Sequence, residues 1–358
     1  MSGLAGQITC LRRQGSARLK KKWSSVANME HGKSKLEDTH GLYKICCHEP
    51  GEKKVGADSK EGSRPKKSYL FLGISIVVAS VIIGGTWIYT VQLKNINPAI
   101  ANAKIIAGLE KIVLPENGVV LPVTWGDLEK QLVDNGTIDP TKFEALYDQR
   151  GIFDEETKKL LTGNDNNRLV IGKNNANAVL NLLWALGLAN KNEILEKGPM
   201  VDKKYGGNAG NFASTGGWTL AVGNTMNHYS NHTMISLTPE QQSSVERVSQ
   251  NIYRPCCGNS VYFPDCNHGM AMLGLLELMA SQGVNESNMY KAALVVNSYW
   301  FPDTYLNIAQ YLKSKKIEWN KVDPKEILGA KFSSASGYQQ ILNQIQPASN
   351  GKGPSCGV

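Results

Sequence analysis

From Tyr253 to Met272 the sequence reads YRPCCGNSVYFPDCNHGMAM, which places Cys256, Cys257, Cys266, His268, Met270 and Met272 within twenty residues. Thiolates, an imidazole and thioethers are soft ligands. Three sulfurs and one nitrogen closing a tetrahedron suit Zn(II), and a set in which methionine takes part suits Cu(I). A second stretch, NTMNHYSNHTMISL, supplies Met226, His228, His232 and Met234. His228 and His232 stand four residues apart, which on a helix puts both rings on one face, a spacing used by paired metal ligands. The Asn, Ser and Thr around them equally suit an exposed turn whose imidazoles meet water. The candidate site is therefore Cys256, Cys257, Cys266 and His268, with Met270, His228 and His232 as outer members and Zn or Cu as the ion.

The same cysteines admit two other chemistries. Outside the cytoplasm a disulfide is the first alternative. Adjacent Cys256 and Cys257 would need a strained ring to bond each other, so the natural pair is one of them with Cys266. That arrangement makes the region a stapled interaction domain. Thiol redox work is the third possibility: CxxC spacing is missing, but a cysteine at a helix start gains thiolate character from the dipole. No Ser/His/Asp order or recognisable pair of acids stands out, which leaves a hydrolase reading without support. The glycine-rich run GGNAGNFASTGGWTLAVG lacks the GxxxxGK[ST] order and a strand-to-helix frame, so it reads as a loop that lines or covers a site, not as a phosphate cradle.

The elements expected to position these residues are mostly helical. From Gly269 the run MAMLGLLELMASQG has the length and apolar spacing of a buried helix, and NESNMYKAALVVNSYW forms a hairpin with it through GVNES. Asn174 to Asn190 is apolar on most sides around Trp184 and reads as core. TPEQQSSVERVSQNIY is a helix with Thr238 as cap, Pro239 at its first position and Gln241 at its third. IDPTKFEALYDQRG follows the same formula with Asp139 and Pro140. TWGDLEKQLVDNG reads as a helix capped by Thr124 and stopped at Gly136, DEETKKLLTG as another, and helices start at Pro302 and near Asp323.

Upstream, Tyr69 to Val91 is uncharged for 23 residues and as a helix spans about 34 Å, enough for a hydrocarbon core. Trp87 and Tyr89 sit near its far end. Arg64, Lys66 and Lys67 precede it, while only Lys94 follows closely, so the positive-inside rule puts the N-terminus in the cytoplasm. The length and position argue for an uncleaved signal anchor in the cell membrane, single-pass, with the lipid bilayer as its partner. Residues before Ser68 hold fifteen Lys or Arg against seven Asp or Glu, which is the whole formal +8. The basic balance thus belongs to a tail, not to a nucleic-acid groove, and nucleic acid is discounted. That tail, including Cys10, Cys46, Cys47 and His48, has too few large apolar residues to fold and reads as disordered, with Met29 a second candidate start.

The organisation expected is a disordered basic tail over 1–67, a membrane anchor over 68–93, a stalk over 94–120, a mostly α extracytoplasmic domain over 121–346 with a helical hairpin and a long Gly-rich loop, and a flexible end over 347–358 that carries Cys356. The stretches NLLWALGLANKN, GNFASTGGWTL, IYRPCCGNS, FPDCNHGMAMLGLLELMASQG and NSYWFPDTY together resemble an uncharacterised family of bacterial membrane-anchored proteins, over nearly all of Leu121 to Gly329. The resemblance implies bacterial origin and brings no activity with it. The order of cysteines, DC and paired helices is also remotely similar to the PCYCGC-motif proteins, and the hairpin after a cysteine pair to the thiol-reducing subunit of cytochrome c maturation. Because Cys256 and Cys257 are adjacent, the paired-thiol roles of the latter do not carry over. Metal handling, as binding or transfer, is the function expected; no protein partner is named by the sequence.

Overall fold

The structure, a computed structural model, describes residues 68–148 and 165–345. The basic tail with Cys10, Cys46, Cys47 and His48, the expected helix DEETKKLLTG and the C-terminal end with Cys356 lie outside the described residues. Among the described residues the chain is mostly helical with one two-stranded antiparallel sheet.

Helix α1 runs Ser68–Val113. Within it Ile74–Gln92 is long and apolar enough to cross a membrane. Ile76, Val81, Ile83 and Trp87 are all exposed there, as a lipid-facing helix requires. By packing, the described residues divide within α1, with Ser68 to Asn97 in one unit and those from Pro98 in the other. Of residues 94–120, read above as a stalk, Leu109, Val113 and Leu114 are buried in the core of the second unit.

Strand β1 (Val119–Gly126) pairs with β2 (Asp165–Ile171), Val119 opposite Ile171 and Thr124 opposite Arg168. The expectation that Thr124 caps a helix is corrected here: Thr124 is in β1, and helix α2 is Leu128–Asp134 after Asp127. Leu121, Val123 and Trp125 alternate inward along the strand, and that period of two outweighs the TxxD cap pattern. The Gln282 side chain accepts from Thr124 N at 2.9 Å and donates to Thr124 O at 2.7 Å, satisfying backbone groups as another strand would.

Helix α3 is Pro140–Asp148, and α4 is Ala176–Ala189. Short pieces follow at α5 (Glu193–Lys197) and α6 (Ala213–Gly216) before α7 (Pro239–Ser249). The expected capping box on α7 is present, with the Thr238 side chain bonded to Gln241 N and the Gln241 side chain to Thr238 N. Then come α8 (Asn267–Ser281), α9 (Glu286–Trp300), α10 (Pro302–Ser314), α11 (Pro324–Leu328), α12 (Ala330–Ser333) and α13 (Ala335–Leu342).

The core is organised around α4 and α8. Every residue of α4 but Asn177, and of α8 but Ser281, is buried. Their backbones meet at two glycines. A Cβ added to Gly187 would lie 2.1 Å from Met270 O, and one added to Gly274 would lie 2.5 Å from Leu183 O. Only residues without a side chain allow such an approach, and it brings the first turn of α8 hard against α4. The glycine-rich loop is tied to the same core. Trp184 and Trp218 meet edge to face at 4.8 Å, Trp184 Nε1 donates to Ser214 O, and Trp218 Nε1 donates to Thr137 O.

Candidate metal centre

The loop from Tyr253 to Asp265 folds around one side chain. Arg254 is fully buried; its Nη1 donates to Asn259 O at 2.9 Å, and its Nη2 donates to Asp265 Oδ1 at 2.7 Å and, more weakly, to Phe263 O at 3.3 Å. Asn259 Nδ2 donates to the other Asp265 oxygen at 2.9 Å. An ion pair with neither partner accessible is costly to desolvate, so the additional hydrogen bonds are what make it tolerable. The loop backbone is closed by Cys257 N to Arg254 O and by Ser214 N to Asp265 O, which joins the glycine-rich loop to the site.

Three sulfurs converge on this charge. Cys256 Sγ stands 3.6 Å from Cys257 Sγ and 3.7 Å from Cys266 Sγ, and all three lie within 4.8 Å of one another. Cys257 and Cys266 are buried and Cys256 is partly exposed. No S–S bond joins them, since a disulfide holds its sulfurs about 2.05 Å apart. Two thiolates on one zinc at about 2.3 Å with tetrahedral angles stand about 3.8 Å apart, close to the two separations that Cys256 makes, while Cys257 and Cys266 lie within 4.8 Å of each other. Cys266 is the N-cap residue of α8, where the helix dipole favours negative charge, and Arg254 Nη2 lies 3.5 Å from its sulfur. Burial alone would lower the Arg254 pKa, but the Cys266 and Cys257 sulfurs and the Asp265 carboxylate together carry it well above its ordinary value, so the guanidinium stays charged.

His268 lies beside this cluster. Its ring packs on Phe301 at 4.4 Å and edge to face on Trp300 at 5.7 Å, and its Nδ1 is buried with no hydrogen-bond partner. Burial is the chief reason its pKa falls to about 4; the Cys266 sulfur pulls the other way and Arg254 adds to the depression. The imidazole is therefore neutral at neutral pH, the form that binds metals. Among the described residues, the His, Cys, Asp and Glu group that converges is the sulfur triad, and His268 is not part of it. Met270 is fully buried in the apolar core.

His228 and His232 do meet, but not on a helix. The chain turns after a single 3₁₀ turn at Thr225–Asn227, and Nδ1 of His228 comes 3.1 Å from Nε2 of His232 while its Nε2 bonds Val222 O at 3.0 Å. The two imidazoles satisfy each other and a backbone carbonyl. The features that sequence reasoning passed over are Arg254 and Asp265. The pattern RPCC…DC holds both beside the cysteines, and a charged pair so placed could have been read as the counter-charge of the triad. Comparison with protein-family models, with curated proteins and with solved structures finds no match to this chain.

Proposed function

We propose that the chain is a single-pass membrane protein of bacterial origin whose helical domain lies outside the cytoplasm and binds a soft transition-metal ion, Zn(II) or Cu(I), through the thiolates of Cys256, Cys257 and Cys266. The reading is one of metal handling or of a structural metal, not of catalysis. The observation that carries it is the convergence of three sulfurs within 4.8 Å of one another beside a buried guanidinium, with Cys256 at 3.6 and 3.7 Å from the other two, separations suited to ligands of one ion. The apolar stretch Ile74–Gln92 supports the anchor, and the basic residues Arg64, Lys66 and Lys67 before it support a cytoplasmic N-terminus.

The full chain purified in detergent under argon is the material for the test, with metal content and free thiols measured together. About one equivalent of Zn or Cu, lost in Cys266→Ser, is the expected result. Metal-free protein in which two of the three thiols are blocked as a disulfide would replace this reading with a stapled helical scaffold.

A further inference from the structure

The three sulfurs are not equivalent. Cys266 is fully buried, caps α8, and its carbonyl accepts from Met270 N at 3.0 Å. Cys257 is 2% exposed, and its backbone is held at both ends, N to Arg254 O and O from Ala335 N, each at 3.0 Å. Cys256 alone of the three is partly open to solvent. Among the described residues, the group of ligand atoms that converges within 4.8 Å consists of these three sulfurs. An ion bound by all three would have two buried, backbone-anchored thiolates and one thiolate partly open to solvent.

We propose that Cys256 is the exchanging ligand of this centre and that the ion passes to and from a thiol-bearing partner by associative substitution at that sulfur. This rests on the metal reading above. In the step, an incoming thiolate forms a metal–sulfur bond while the bond to Cys256 breaks; the proton released by the incoming thiol is taken up by the departing Cys256 sulfur, and no electrons change hands. Cys257 and Cys266 keep the ion until the second and third bonds are exchanged. A soft thiol acceptor fits this chemistry better than a carboxylate or amine donor, because the ion leaves one sulfur only for another of comparable affinity. Arg254, 3.5 Å from Cys266 and locked to Asp265, holds charge on the inner sulfurs while the outer one moves.

The test uses the full chain in detergent, loaded under argon with Cu(I) as its acetonitrile complex, with glutathione as the thiol acceptor. Stoichiometric loading that depends on Cys266 is established first; its absence overturns the metal reading, and this inference with it. In loaded protein the rate of Cu(I) transfer is then expected to rise in proportion to glutathione over a tenfold range. A short iodoacetamide pulse during transfer, read by peptide mass spectrometry, is expected to label Cys256 at least tenfold more than Cys257 or Cys266. A transfer rate indifferent to glutathione concentration, or labelling of Cys257 or Cys266 ahead of Cys256, overturns the exchange proposal while leaving ion binding intact.

Discussion

A side chain at position 269 would collide with Arg254: a Cβ built on Gly269 lies 2.7 Å from Nη2 and 2.8 Å from Cζ of the guanidinium. The first turn of α8 and the charged centre of the cysteine loop are thus packed in contact, and the glycine is what permits it. Arg254 cannot step aside, because Asp265, Asn259 O and Phe263 O hold it from three directions. Gly269→Ala is expected to cost about 1 to 3 kcal/mol of stability, as overpacking does, and to lower metal loading in parallel. Gly258→Ala, where a Cβ meets nothing within 4 Å, is the control and is expected to leave both unchanged. Urea unfolding of the two variants, with metal content, decides; equal behaviour would mean Arg254 is not seated as described.

The buried ion pair predicts an asymmetric response to its removal. Asp265→Ala leaves the Arg254 charge without its carboxylate in a site closed to water, and losing one partner of such a pair costs about 3 to 5 kcal/mol. The double variant Arg254→Met, Asp265→Ala removes both charges and is expected to recover part of that loss, yet to remain defective in holding three thiolates together. Denaturant midpoints measured on both variants and on the wild type separate these effects. A double variant no more stable than Asp265→Ala would show that packing, not charge, sets the cost.

Much of this arrangement was legible in the sequence where a local rule and the tertiary structure agree. Thr238 and Gln241 mark the start of α7 because both halves of a capping box are local, and the run after Cys266 is a helix because its apolar spacing leaves no face for water. The sheet was not legible. β2 pairs with a strand some forty residues earlier, and nothing in DNNRLVI announces its partner. Likewise the triad could be proposed from three cysteines, but not the exclusion of His268 from it. That depends on Trp300 and Phe301, which arrive from the far end of α9 and claim the ring.

His268 makes the fold sensitive to acid. Its folded pKa, about 4, is below the ordinary histidine value of about 6.5, so the unfolded chain binds a proton that the folded chain refuses between those limits. The stability this neutral ring permits is complete above about pH 6.5 and is lost as pH falls toward 4. His268→Phe keeps an aromatic ring among the same neighbours and has no nitrogen to protonate. Its stability is expected to fall less steeply than wild type between pH 6.5 and 4.5, measured by urea midpoints on metal-free protein. Parallel curves for the two proteins would remove His268 as the cause.

Glu277 works in the opposite direction, from the middle of α8. Its side chain is fully buried, Oε2 accepts from Asn190 Nδ2 at 2.6 Å, and Oε1 makes no hydrogen bond. Burial raises its pKa well above the ordinary carboxylate value, against smaller lowering contributions from Asn190 and Asn192, so the folded chain keeps a proton that the unfolded chain releases above about pH 4.3. The stability is present in full below that pH and is lost as pH rises toward the folded pKa, at up to about 1.4 kcal/mol per pH unit for this one proton. Glu277→Gln retains an oxygen to accept from Asn190 and cannot ionise. It is expected to match the wild type near pH 4.5 and to become progressively more stable than it toward pH 8. If the two midpoints instead stay a constant distance apart across that range, Glu277 is ionised in the folded protein, and the α4–α8 interface must then be supplying it with a counter-charge.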